Sequence, residues 1–556
     1  MKKILLFTIT LLFGLSFISC SKDDGGLTPV LPTGVALDQT SLSLKVGETF
    51  TLTATVSPSD ADNKNVKWTS LDANVASVSS GLVSAVSPGE TSIIVTTEVG
   101  DRTAACKVVV EEPVIPYAGL SFVSSGTTNI ALNKIGSPAE IKLEYKKSSG
   151  EWSAYTVGTS IEINDKETVS FQAAEDGNSK FSNDMANYYQ FSIGGEGTVA
   201  ASGNIMSLVS QDMKSVKIPS RYFFRSLFEN CASLTQAPEL PADTLARYCY
   251  EQMFAGCTSL TAAPELPATD LAWDCYHGMF QDCKKLTSAM ELPADTLAME
   301  CYYEMFAGCT SLTAAPKLPA TVFAQNCYNA MFKDCTSLTS APELPATTLS
   351  MNCYKDMFAG CTSLTLAPAL PATTLSLGCY TNMFSGCTSL TAAPELPATT
   401  LEMECYRGMF ADCTNLTQAP ALPATKLKFS CYMFMFAGCT SLTVAPELPA
   451  TTLEYQCYSG MFSDCTSLTT APVLPAITLE TYCYDKMFDG CTKLKYVKAL
   501  FTTTPSSSYT GEWLSNVASN GTFIKNPSAT WDTEITRGKS TVPEGWTITN
   551  EAVSSN

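Results

Sequence analysis

A chain of 556 residues is too long for one compact domain, and 45% apolar with 16% charged content points to folded structure rather than disorder. Its formal charge of −19 argues against nucleic acid or anionic headgroups as partners, because both need Lys and Arg to displace counterions. The single histidine, His277, leaves no histidine pair for zinc and one imidazole for any triad, so neither a metal nor another cofactor is expected.

In chain order, Lys2 and Lys3 precede an apolar run from Ile4 to Ile18, closed by Ser19-Cys20. A basic start, a short apolar core and a small residue at its end read as a secretion signal, and the run is short for a membrane span. Phe17-Ile18-Ser19-Cys20 resembles a bacterial lipobox. The resemblance implies removal of residues 1–19 and lipidation of Cys20 as the mature N-terminus. Ser21-Lys22-Asp23-Asp24 is similar to an acidic export tag, which implies the cell-surface face of an outer membrane. The membrane would be reached through the lipid alone, since several acyl chains anchor stably. Gly25-Gly26, Pro29 and Pro32 make residues 20–33 a tether.

Residues 34–112 alternate at period two. Ser41 to Val46, Thr51 to Val56 and Ser92 to Thr96 read as strands separated by turn clusters such as Ser57-Pro58-Ser59-Asp60, which predicts a β-sandwich. Val46-Gly47-Glu48, Val66-Lys67-Trp68-Thr69-Ser70, Val75-Ala76-Ser77-Val78 and Ser87-Pro88-Gly89-Glu90-Thr91 resemble the group 2 bacterial immunoglobulin-like domain, a spacer or adhesive unit of surface proteins. Cys106, in the last apolar strand, reads as a buried free thiol. Residues 118–200 predict a second β-sandwich-like module, a spacer, with strands at Glu140 to Tyr145 and Ser160 to Ile163 and a turn at Ser148-Ser149-Gly150.

Residues 218–500 are periodic. One cysteine column runs from Cys231 to Cys491 and a second from Cys249 to Cys483, each in steps of 26, and together they take 21 of the 23 cysteines. A fixed period of this length predicts a solenoid. On a helical wheel, Leu271, Cys275, Met279, Cys283, Tyr276 and Phe280 share one face, so Leu271 to Phe280 reads as a short amphipathic helix, repeated in each unit. Asp243, Thr269 and their equivalents suit its N-cap. The residue before each second cysteine is only Gly, Asn or Asp, which predicts a left-handed turn there. The leucine column (Leu234 to Leu494) and the alanine column (Ala237 to Ala471) predict a packed interior, with very short parallel strands around Leu-Thr-x that break at the following proline. The expected fold is thus multidomain: N-terminal β-sandwich modules, then an α/β leucine-rich-repeat solenoid of 26-residue units, then a small β cap over residues 501–556. Asn520 to Ile524 and Val542 to Ile548 would supply the cap's strands.

Met-Phe-Ala-Gly-Cys-Thr-Ser-Leu-Thr, as at Met253 to Thr261, resembles the BspA-like leucine-rich repeat. The resemblance implies a surface protein for adhesion to host proteins or to other bacteria. The 26-residue unit, the proline-rich segment and the second cysteine column depart from that pattern. Within a unit the cysteines are eight residues apart, about 12 Å on a helix, beyond the roughly 7 Å a disulfide tolerates, and no close pairs suit zinc. Both columns therefore read as buried thiols.

Two columns before the first cysteine stand Trp273, Met299, Met351, Leu377, Met403, Phe429 and Tyr455. They are either edge packing against the next unit or an exposed apolar stripe for a partner. Glu239, Glu265, Glu291, Glu343, Glu395 and Glu447 form an acidic row that is either solvated or attractive to a basic partner. The residue after each Leu-Thr (Gln236, Ala262, Ser288, Leu366, Gln418, Val444) would line the strand face, and His277 reads as a surface residue. The favoured function is binding of a protein or glycan ligand without catalysis. The alternatives are a carbohydrate-processing surface enzyme, which needs only two carboxylates, and a structural coat.

Overall fold

The computed structural model describes residues 29–45, 47–87, 89–111, 119–531 and 542–550. The leader, Cys20 and most of the tether lie outside the described residues. The chain divides into two compact units, Met1–Pro116 and Tyr117–Asn556.

Among the described residues of the first unit the predicted alternation becomes nine strands: β1 (Gly34–Leu37), β2 (Ser41–Lys45), β3 (Thr49–Thr51), β4 (Ala54–Ser57), β5 (Val66–Ser70), β6 (Ala76–Ser79), β7 (Leu82–Ala85), β8 (Gly89–Thr97) and β9 (Thr103–Glu111). They pair in the orders β2-β9-β8-β5, β3-β7-β6 and β1-β4. The run Thr51 to Val56 splits between β3 and β4. Leu44, Leu52, Ala76, Val83, Ile93 and Val108 form the core, and Cys106 is buried among them as a free thiol.

The second unit opens with β10 (Leu120–Ser125), β11 (Thr128–Ile135), β12 (Leu143–Lys147), β13 (Ser153–Tyr155), β14 (Ile161–Ile163), β15 (Thr168–Ala173), β16 (Tyr188–Gly195) and β17 (Thr198–Ser202). Two sheets face each other, β13-β12-β15-β10-β17 and β14-β11-β16, across the rings of Phe122, Phe171 and Phe191. Ser148, with φ of 50°, turns β12 into β13 at the predicted hairpin. This module does not stand apart from the repeats as a spacer. β17 pairs in parallel with β18 (Leu234–Gln236) of the first coil, and one continuous apolar core runs from Leu120 to Trp546. It therefore covers the open end of the stack, which a repeat array requires.

The repeats contain no helix, which corrects the α/β expectation. Among the described residues of the second unit, the helices are one turn of 3₁₀ at Ile205–Leu208 and a four-residue α-helix at Ser507–Thr510, neither in the 26-residue units. Each segment expected to be helical is instead a chain of overlapping turns. In the unit around Cys353, Lys355, Met357, Ala359 and Cys361 donate their N–H to the carbonyl three residues back, at 3.0–3.3 Å. The alternate residues Tyr354, Asp356, Phe358 and Gly360 donate to the next coil, on Cys379, Thr381, Met383 and Ser385, at 2.7–3.0 Å. A helix would close all these bonds locally. Here half of them join coil to coil. The geometry needs a left-handed residue every fourth position, as at Asn352, Asp356 and Gly360, with φ of 51°, 53° and 74°. For a residue with a Cβ this costs about 1 kcal/mol, whereas a buried backbone group left unpaired costs about 1–3 kcal/mol. The ladder therefore wins even at Ala330 and Phe434, held at 53° and 55°.

The interior is built from identical side chains on identical side chains. Tyr250 through Tyr484 stack with ring centroids 5.7–6.1 Å apart. Phe228 through Phe488 form a second ladder at 5.3–5.7 Å. The leucine column is fully buried, as expected, but most of the alanine column is only half-buried. The Leu-Thr-x strands shrink to single parallel bridges, such as Ala314 to Ser340 and Ser340 to Leu366. Asp243, Thr269 and their equivalents cap no helix. The next residue in each unit makes a second row of bridges, as Thr348 does with Thr374.

The stack continues into the tail. β19 (Tyr496–Ala499), β20 (Gly521–Lys525) and β21 (Trp546–Asn550) pair in parallel, each one coil further on, so the expected cap strands extend the coil rather than close it.

The turn before each second cysteine is left-handed throughout, at φ of 57–76° from Asn230 to Gly490. Where it holds Asp282, the carboxylate lies over Gly308 of the next coil, and a Cβ on Gly308 would sit 2.6 Å from its Oδ1. Asn230 over Gly256 and Asp334 over Gly360 repeat the arrangement. Gly386 follows another glycine, and a Cβ there would stand 3.6 Å from the Gly360 Cα. Gly386→Ala should thus reveal the cost of the left-handed backbone alone, about 1 kcal/mol in urea unfolding. Gly308→Ala should cost more, and the excess should vanish when Asp282→Ala is added.

Candidate functional site

The stripe residues all precede the first left-handed position of their turn arm, which points them outward whether or not a helix exists. Trp273, Met299, Met351 and Leu377 are half-buried. Met403, Phe429 and Tyr455 are 46%, 38% and 37% exposed, in three successive coils. Phe429 and Tyr455 stack face to face, centroids 5.2 Å apart, and Tyr482 meets Tyr455 edge-on at 5.9 Å. The column is thus half-buried in the early coils and exposed in the late ones. Tyr482 belongs to the same surface, and sequence reasoning missed it because it lies one residue out of the column. At the other end Arg247 lies over the Trp273 ring, 5.1 Å from its centroid.

Other exposed apolar side chains gather in the late coils. Val444, Val473 and Ile477 are 65%, 46% and 46% exposed. Leu366 and Val444 show that the residue after Leu-Thr does face outward. The six glutamates of the acidic row are exposed as well, and shallow grooves of about 300–650 Å³ run between the prolines that flank them.

His277 is not a plain surface residue. Its Nδ1 lies 3.1 Å from Oδ1 of the buried Asp274, and its ring meets that of Tyr303 edge-on at 4.7 Å. Burial disfavours the imidazolium, yet the bond to Asp274 and the charges of Glu251 and Glu304 outweigh it and raise the His277 pKa. Glu251 is itself buried and paired with Arg225 at 2.9 Å. This cluster joins neighbouring coils and lines none of these proline grooves.

All 22 described cysteines are free and buried. From Cys257 to Cys491, each thiol of the Cys231-to-Cys491 column donates to the carbonyl of a phenylalanine in the preceding coil at 3.0–3.2 Å. The Phe332 carbonyl, for instance, accepts both the Cys335 N–H and the Cys361 thiol. A second, weak donor small enough for the interior is what that carbonyl needs, and cysteine supplies one. Burial pushes the thiols of Cys249, Cys335, Cys387 and Cys439 up to about 12, so none of these is a nucleophile near neutral pH. Among the described residues no His/Cys/Asp/Glu group could hold a metal ion, and no helix is long and apolar enough to cross a membrane.

An immunoglobulin-like sandwich followed by stacked coils defines a multidomain, repeat-bearing protein built on binding modules. Residues 32–108 match the bacterial Ig-like domain (group 2). Residues 209–313, 275–391 and 378–515 match the BspA type leucine-rich repeat region, in six copies covering more than half of the chain. The chain belongs to the BspA-type leucine-rich-repeat family. Shorter likenesses include an alpha-L-arabinofuranosidase of Bifidobacterium longum, 41% identical over 92 residues, 16% of this chain and 9% of that protein. An Ig-like virion protein of Serratia phage KSP90 is 36% identical over 105 residues, 17% of this chain and 41% of the relative. A minor capsid protein of Enterobacteria phage T3 is 43% identical over 79 residues, 14% of this chain and 18% of the relative. The chain thus spans less than half the length of each, in a segment the size of one domain.

The thiols yield a pH prediction. A thiol raised from 9.0 to about 12 stabilises the fold in full below pH 9, and that stabilisation is lost as pH rises toward 12. Each such group removes about 1.4 kcal/mol per pH unit in that window, and the columns act together. Thiolate absorption should stay absent as pH rises from neutrality, then appear in one steep step with loss of circular dichroism. Gradual thiolate formation ahead of unfolding would contradict the buried columns.

Proposed function

We propose that this protein is a surface-displayed binding or adhesion protein, held by lipid on Cys20 at the outer face of an outer membrane, whose late coils engage a protein or glycan ligand. The observation that carries the reading is the run Met403, Phe429 and Tyr455, exposed in register on successive coils, with the exposed Tyr482 edge-on against Tyr455. A soluble chain rarely leaves such residues together without a partner to cover them. Membership of a family whose proteins are generally surface-exposed supports the location, and Ig-like and leucine-rich-repeat modules are typically non-enzymatic. The likeness to an arabinofuranosidase covers 9% of that enzyme and brings no catalytic residues with it. Repeated columns present one surface many times over, which suits recognition along a length better than a reaction at a point.

The test is a protein and glycan array probed with the chain expressed without residues 1–20. Binding without turnover is expected, and release of product would favour the enzyme alternative. Phe429→Ala with Tyr455→Ala should weaken the binding found by about thirtyfold or more, the loss typical of paired aromatic anchors, while leaving the unfolding midpoint near that of the parent.

A further inference from the structure

We propose that the proline arm of the coils is a docking groove for a basic, extended polypeptide that presents a lysine or arginine every third residue in a polyproline-like conformation. This surface lies on a different arm of the coil from the stripe of Phe429 and Tyr455. Exposed carboxylates recur there at Glu343, Glu395 and Glu447, one on every second coil; the coils between carry Ala369 and Ala421 at the same place, and the coil after Glu447 carries Val473. Beside Glu395 a groove of about 340 Å³ opens between Pro394 and Pro397 on one coil and Pro420 and Pro423 on the next. Beside Glu447 a second groove, of about 300 Å³, repeats it between Pro446 and Pro449 and Pro472 and Pro475.

The walls decide what can enter. Proline rings are apolar and offer no N–H, so an incoming strand finds no ladder to join and its side chains must carry the contact. A groove with apolar walls and a carboxylate at its rim suits the aliphatic stem and charged head of lysine or arginine. The spacing decides the conformation. Coils rise by about 4.8 Å, the separation of hydrogen-bonded strands, so the carboxylates recur at about 10 Å. A polyproline helix brings its side chains back to one face every three residues, about 9 Å. An extended β-strand repeats its face at about 7 Å and falls out of register at once. The chain's formal charge of −19 favours a cationic partner and repels an acidic one. Lys317, which takes the same place two coils after Glu265 and one before Glu343, bounds the site on that side.

The lipid-free chain would be titrated with a peptide of about five Lys-Pro-Pro units, followed by fluorescence anisotropy at physiological salt. A peptide of the same composition with its lysines in one block serves as the comparison. The regular peptide should bind about tenfold or more tighter than the blocked one, the gain expected when charges and carboxylates share a register. Glu343→Gln, Glu395→Gln and Glu447→Gln together should remove that advantage, whereas neutralising the exposed Glu140, Glu162 and Glu196 should leave it within about twofold, as for charges a Debye length or more away. The Phe429 and Tyr455 variants should bind the peptide as the parent does, which separates this groove from the stripe. Equal affinity for the two peptides, equal loss from both sets of neutralised glutamates, or no binding at all would overturn the proposal.

Discussion

The repeats depend on one demand, that every other backbone N–H of the turn arm find its carbonyl on the next coil rather than its own. Tyr354 to Cys379, Phe358 to Met383 and Gly360 to Ser385 show the pattern, and it recurs from unit to unit. The bonds hold neighbouring coils at one fixed separation, which is why the interior admits only columns of identical side chains. Stacked tyrosines and phenylalanines fill the separation with ring faces, and the cysteines from Cys257 to Cys491 fill what remains while serving the phenylalanine carbonyls. A coil cannot satisfy its own backbone, so both ends need a neighbour. β17 supplies one by pairing with the first coil, and β20 and β21 carry the series on past the last cysteine.

Much of this was legible in the residues. The period of 26, the buried leucines, the free thiols and the left-handed turn before each second cysteine follow from reading the chain against itself. The helix did not, for a reason visible in hindsight. Cys275-Tyr276, Met279-Phe280 and Cys283 recur every four residues, and a wheel of 3.6 per turn accommodates that spacing over so short a run. Two of the three left-handed columns carry only a mixed signal, because beside Asn352, Asp356 and Gly378 they hold Glu300, Glu304, Ala330 and Phe434. The ladder between coils holds these residues in place, and single-sequence propensity does not see such bonds. The brevity of the strands was foreseeable from the proline that follows every alanine of the column but Ala289, since no longer ladder could form there.

The candidate surface was half legible. Spacing alone placed Trp273 through Tyr455 in one column, but could not say that the early members are half-buried and the late ones exposed. That difference rests on what lies beside each residue, such as Arg247 over Trp273 or Phe429 against Tyr455. His277 was misjudged because Leu271 to Phe280, read as a helix, is a run of turns in which its Nδ1 meets the buried Asp274. The second β module was recognised as strands, yet its union with the first coil rests on a parallel pairing between segments more than thirty residues apart, which no local pattern announces.

The aspartates that lean over glycines carry a consequence for how such an array can grow. An aspartate unit tolerates only a glycine unit after it, since a second side chain would meet the first, while a glycine unit accepts either kind, as Gly360 accepts Gly386. Units are therefore not interchangeable when the gene lengthens or shortens. A glycine-type copy can be inserted behind any neighbour, but among the inner units a lone aspartate-type copy fits only between Gly360 and Gly386, and deleting the glycine-type unit between Asp282 and Asp334 would set two carboxylates on one spot. Within a lineage, the coil count is free to drift by some steps and barred from others, and the rule is written in a single atom of each unit.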